Sequence, residues 1–139
     1  MTESPTLVNT KENGRLLISG GIYGYSSSNQ VYQVDMCMNT LQKHSEMKVG
    51  RVGHAAVYIN NKDIYVIGGY NADQNKWLRS VEVCYDAFAY VTAKKEEAVV
   101  PHWELKAEMK EARYYFGCCT LKNEHIYVFG GMNDSFMLN

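Results

Sequence analysis

Four histidines (His44, His54, His102, His125) and four cysteines (Cys37, Cys84, Cys118, Cys119) are the side chains of this 139-residue chain most able to ligate a metal or act as base or nucleophile. Ligation needs donors converging at short spacing, such as His-x-x-x-His or a cysteine pair with a two-residue gap. No histidine pair has that spacing, and Cys118 and Cys119 are direct neighbours. Ser26-Ser27-Ser28 lies in no nucleophile motif and reads as a flexible loop. Gly20-Gly21-Ile22-Tyr23-Gly24 has the glycine content of a phosphate loop, yet no Lys-Ser/Thr follows it. The expectation is no catalytic residue, no metal and no cofactor, with the thiols free.

Composition narrows the partners. The chain is 46% apolar and 21% charged, with a formal net charge of −1, which suits a packed domain and argues against a basic nucleic-acid surface. The longest apolar runs, 55–59 and 64–67, fall far short of a membrane span. No apolar block follows the first residues, where Glu3 stands, so the expected location is the cytoplasm.

The elements that position these residues recur. Leu16-Leu17-Ile18-Ser19-Gly20-Gly21, Ile64-Tyr65-Val66-Ile67-Gly68-Gly69 and Ile126-Tyr127-Val128-Phe129-Gly130-Gly131 read alike. The second and third blocks lie 62 positions apart, and that shift also carries Arg51 onto Arg113, Asn61 onto Asn123 and Glu46-Met47-Lys48 onto Glu108-Met109-Lys110. The first and second glycine pairs lie 48 apart, and the extra 14 residues of the middle copy fall in two loops. Each copy reads as short strands and turns: 51–59 small and apolar, 60–63 turn-forming, 64–67 buried, 80–85 alternating up to Asp86. A fourth strand over 103–109 is expected to face Trp103, Leu105, Ala107 and Met109 inward. Residues 5–10 are a weak candidate for a first strand of the first copy, and 93–98 for a short helix.

This order (Arg, small strand, turn, Ile-Tyr-Val-Ile-Gly-Gly, loop, Val-Glu-Val-Cys-Tyr-Asp, loop, Trp) resembles a kelch repeat. The second copy carries nearly the whole pattern, while the first has Val34 and Leu41 where Tyr and Trp are usual. The resemblance implies an all-β, kelch-type β-propeller segment of four-stranded antiparallel blades, incomplete in this chain. It divides the chain into a first repeat at 1–47, a second at 48–109 with an insertion at 87–102, and the first half of a third at 110–139. Scaffold roles then fall on Gly20, Gly21, Arg51, Tyr65, Gly68, Gly69, Tyr85, Asp86, Trp103, Arg113, Tyr127, Gly130 and Gly131. Propellers close with about four to eight blades, so the reading is a piece of a longer polypeptide or one completed by partner chains.

Function, on this resemblance, is non-catalytic protein binding. The loops after each glycine pair and the links between copies share one propeller face, and they carry Tyr23, Tyr25, Tyr70, Asn71, Lys76, Trp77, Arg79, Tyr114 and Tyr115. Exposed Tyr, Trp and Arg on a rigid scaffold are the composition of interaction hot spots. The expected partners are other proteins or further blades, without nucleic acid or membrane insertion. The leading role is a structural subunit of a larger assembly, cytoskeletal or ciliary. The alternatives are substrate recognition in a BTB-kelch cullin ubiquitin-ligase adaptor and, third, a propeller enzyme.

Overall fold

A computed structural model describes residues 5–9, 14–88, 101–134 and 137–138. Among them the chain is all β, without helix, and no helix is long and apolar enough to cross a membrane. The first sheet orders β1 (Thr6–Asn9), β2 (Arg15–Ser19), β5 (Gln30–Asp35) and β6 (Thr40–Glu46), every pair antiparallel. The second orders β7 (Ala55–Ile59), β8 (Asp63–Ile67), β11 (Val81–Cys84) and β12 (Trp103–Lys106) in the same way. Two small hairpins, β3 (Ile22–Tyr23) with β4 (Ser26–Ser27) and β9 (Tyr70–Asn71) with β10 (Lys76–Trp77), follow the glycine pairs. A third unit consists of β13 (Gly117–Leu121) paired with β14 (His125–Phe129).

The 62-residue recurrence is reproduced rung by rung. Ala55 opposes Ile67 and Ile59 opposes Asp63, as Gly117 opposes Phe129 and Leu121 opposes His125. Each turn leaves three residues between the last paired positions and sets two of them, Asn60-Asn61 and Lys122-Asn123, at positive φ, with the Lys62 and Glu124 N–H donating back to the Ile59 and Leu121 carbonyls. β7 touches β1 on one side and β13 on the other, so the innermost strands gather at a common centre. Small residues there, Ala55 and Ala56 among them, permit the convergence. These sheets are blades of a partial propeller.

Two cores hold neighbouring units together. Leu17 and Val31 of the first sheet, with Met47 just past its last strand, meet Ile64, Val66, Cys84 and Trp103 of the second. Val57, Ile59 and Ile67 continue toward Phe116, Ile126 and Val128 of the third unit. The glycine pairs set this spacing. A Cβ on Gly20 would lie 2.4 Å from the Arg51 carbonyl, and one on Gly68 2.7 Å from that of Arg113. Gly21 and Gly69 instead donate their N–H to those same carbonyls, at 2.9 and 2.7 Å. Backbone from one unit thus packs directly on the next, which only glycine allows.

Several expected boundaries move. The strand expected over 51–59 begins at Ala55, because Arg51 to His54 form the link between units and Gly53 turns with φ +60. The strand expected over 103–109 ends at Lys106. Its apolar side is covered only where β6 reaches it: Trp103 is buried, whereas Leu105, expected inward, is 56% exposed on the outermost strand, and Ala107 lies exposed beyond the strand's end. The weak candidate at 5–10 is a real strand, β1, paired with β2. Ala87 and Phe88, assigned to the insertion, are core residues. The helix considered at 93–98 lies outside the described residues.

Candidate functional site

The face bearing the glycine-pair loops is built from two neighbouring hairpins and two links. Ser27 N–H donates to the Asp73 carboxylate at 2.9 Å, and Ala72 N–H donates to Ser27 Oγ at 2.8 Å, tying the first hairpin to the second. A bridge between Val52 and Tyr70 fastens one link to the second hairpin, and one between Tyr114 and Met132 repeats the arrangement in the third unit.

On this frame four aromatic rings meet. Tyr70 and Trp77 stand opposite each other across β9 and β10, ring centres 5.2 Å apart. Trp77 meets Tyr114 edge-on at 5.3 Å, Tyr70 meets Tyr114 at 6.3 Å, and Tyr114 lies against Tyr115 at 3.9 Å. The Tyr70 hydroxyl donates to Asn75 Oδ1. Burial, followed by the Tyr115 hydrogen bond, pushes the Tyr114 hydroxyl up to about 12, so it stays a neutral hydrogen-bonding group at any physiological pH.

Tyr114 and Tyr115 owe their positions to glycine chemistry. Gly53 leaves space that Tyr114 fills: a Cβ there would lie 2.3 Å from the Tyr114 ring. Tyr115 is the counterpart of Gly53 in the third unit and takes the same left-handed backbone, φ +50, with its side chain 56% exposed. A bulky aromatic in that conformation stores backbone strain of about 1 kcal/mol or more.

The remaining candidates divide. Tyr23 and Tyr25 sit on the first hairpin, Tyr25 almost wholly in solvent, and the ring contacts described here do not reach them. Lys76 is exposed on β10, and Arg79 is exposed and paired with Glu108 at 2.7 Å. Asn71 is corrected: it is buried, its Nδ2 donates to the Gly50 carbonyl at 2.7 Å, and its Oδ1 accepts from Gln74 N–H, so it braces the loop instead of facing a partner.

A kelch motif is recognised over residues 50–83. The chain carries a kelch repeat. It is 28% identical over 127 residues to an F-box/kelch-repeat protein of Arabidopsis thaliana, an alignment covering 88% of this chain and 30% of the relative. It is also 32% identical over 71 residues to Mei4-dependent protein 6 of Schizosaccharomyces pombe, covering 50% of this chain and 10% of that one. The chain therefore spans less than a third of either relative's length. Kelch repeats in general mediate protein–protein interaction.

The repeat residues differ in burial: Arg51 and Trp103 are buried, Tyr65 and Tyr85 are half-buried, and Asp86 is exposed. Tyr127, the counterpart of half-buried Tyr65, is 49% exposed, and no third strand pairs with β14 among the described residues. Three buried polar groups tie the packing together beneath these residues. Glu82 receives the Arg51 guanidinium, the recurrence of Arg at 51 and 113 being the available signal. Ser45 Oγ accepts from Trp103 Nε1 at 2.9 Å and bonds His44 Nδ1 at 2.8 Å, while His44 Nε2 bonds the Ala87 carbonyl at 2.6 Å. His54 Nε2 bonds Ser19 Oγ at 2.9 Å across the first interface. Burial lowers both histidines, His54 to about 3, and raises Cys84 to about 12 and Cys118 to about 11. Two histidines and two thiols are thus held neutral inside the packing. His102 pairs with Glu104 at the surface, and His125 stands beside Tyr127. Among the described residues no group of three or more His, Cys, Asp or Glu is placed to hold a metal.

Proposed function

We propose that this chain is a non-catalytic docking module in which the kelch loop face captures a partner protein as part of a larger cytoplasmic assembly, cytoskeletal or ciliary. The observation that carries the reading is Tyr115: an exposed aromatic held in a glycine conformation and lying against Tyr114, the ring at the centre of a cluster with Tyr70 and Trp77. Strain retained at an exposed position is what a binding residue looks like when stability does not require it. Aromatic anchors ringed by Lys76 and the Arg79–Glu108 pair supply apolar area and flanking charge. Affinity capture from cell extract with the unaltered chain and with Trp77→Ala tests this. The partner retained by the first is expected to be lost with the second, at unchanged thermal stability. Equal capture by both sinks the reading.

The relative whose name joins an F-box to kelch repeats favours a second reading, substrate recognition for a cullin-type ubiquitin ligase. Its discriminating result is recovery of cullin components with the captured partner.

A further inference from the structure

The two glycine-pair hairpins place different chemistry at one equivalent position. Ser28 N–H donates to the Gly21 carbonyl and Leu78 N–H to the Gly69 carbonyl, both at 2.8 Å. One residue earlier, Ser27 faces Ile22 as Trp77 faces Tyr70. Ser27 is thus the first hairpin's counterpart of Trp77, a hydroxyl where the second hairpin carries a ring. The link packs tightly over it, since a Cβ on Gly50 would lie 2.2 Å from the Ser27 carbonyl oxygen.

That serine clasps the turn of the neighbouring hairpin. Ser27 Oγ accepts from Ala72 N–H at 2.8 Å and stands 3.5 Å from the Tyr70 carbonyl, while Ser27 N–H donates to the Asp73 carboxylate at 2.9 Å. Hydrogen bonds from the Ser26 hydroxyl and the Ser27 N–H hold that exposed carboxylate below its ordinary range. Each hairpin has a ladder of two rungs, marginal on its own, so outside ties must fix its tilt. The aromatic cluster needs a defined tilt. Tyr70 and Trp77 ride on the second hairpin and Tyr114 on the link to the third unit, with ring contacts at 5.3 and 6.3 Å crossing between them.

Resting on the docking role of the loop face, we propose that Asp73 and Ser27 are its positioning residues. They hold the second hairpin by its turn, and the hairpin sets Tyr70 and Trp77 against Tyr114. The clasp works through acceptor oxygens and not through net charge, so an amide at position 73 can serve where a methyl group cannot. Without the clasp the competent arrangement is one of several, and apparent affinity falls by the fraction lost.

The test uses the 139-residue chain with Trp103→Phe, which leaves Trp77 as its one tryptophan. Iodide quenching then reads the exposure of Trp77 with no partner present. Asp73→Ala and Ser27→Ala should each raise the quenching constant at an unchanged melting temperature, and the pair together no further than either alone. Asp73→Asn keeps an acceptor oxygen and should hold the unaltered value. Capture of the partner from cell extract should weaken by up to about tenfold in the two alanine variants, the worth of one charge-assisted hydrogen bond, and recover in Asp73→Asn. Quenching unmoved by both alanine changes overturns the proposal. So does capture lost as fully in Asp73→Asn as in Asp73→Ala, which would mark the carboxylate as a direct ionic contact. The quenching result needs no partner, so it is decided apart from the docking role that Trp77→Ala tests.

Discussion

The Arg51 guanidinium and the Glu82 carboxylate meet at 2.5 Å with both side chains fully buried. This pair joins three pieces of backbone. Arg51 also donates to the carbonyls of Gly68 and Ser80, and Glu82 also receives the amides of the link at Lys48 and Val49. A sheet, its glycine turn and the entry link are held at one point. Desolvation works against each charge, so the pair contributes through completeness of bonding and not through Coulomb attraction alone.

Removing one partner is therefore far worse than removing both. Glu82→Gln or Arg51→Met leaves an uncompensated buried charge or amide and should cost about 3–5 kcal/mol. The combination Arg51→Met with Glu82→Leu should recover part of that loss. Urea unfolding of the two single variants and the double variant checks this; additive losses would show that the two groups act independently.

Tyr115→Gly separates stability from binding. The position already has φ +50, so glycine relieves strain, and the unfolding free energy should stay level or rise by up to ~1 kcal/mol. Partner capture should fall nevertheless, since the exposed ring is gone. A drop of more than about 1 kcal/mol would instead mark Tyr115 as packing.

The hairpins were legible because their information is local. Alternation, Asn60-Asn61 and the glycine pairs decide conformation within a few residues, and the 62-residue shift repeats the decision. What stayed hidden depends on partners far along the chain. His44 reads as an ordinary strand residue until Ala87 arrives against it, and Trp103 finds Ser45 58 positions away. Asn71 reads as an exposed loop residue until the Gly50 carbonyl turns toward it. Tyr115 was legible as a face residue, but its strain was visible only once its alignment with Gly53 was joined to the backbone angle.

The shared hydroxyl of Ser45 gives a third test. Trp103 Nε1 and His44 Nδ1 both use it inside the first interface. Ser45→Ala leaves two buried groups unmatched and should cost about 2–3 kcal/mol, whereas Trp103→Phe removes one donor and some area and should cost about 1–2 kcal/mol. The double variant should cost clearly less than the sum, because the second change deletes a group the first had orphaned. Thermal or urea unfolding of all three decides it.

Acid should destabilise the fold in a defined window. Burial, with the Arg51 charge second, lowers His54 from the ordinary 6.5 to about 3. Burial lowers His44 in the same sense, against the opposing hydrogen bond to the Ala87 carbonyl. The unfolded chain therefore takes up protons below about pH 6.5 that the folded chain refuses, and stability present above that pH is lost as the pH falls toward 3. For His54 alone the slope is about 1.4 kcal/mol per pH unit, or roughly 2 kcal/mol between about pH 6.5 and about pH 5. That interval lies above the range of ordinary carboxylates, so the histidines dominate it. His54→Gln keeps a polar group beside Ser19 but does not titrate, and it should flatten the slope by one proton's worth. Unfolding free energies that agree at about pH 7 and about pH 5 in the unaltered chain would show that neither histidine is held neutral by the packing.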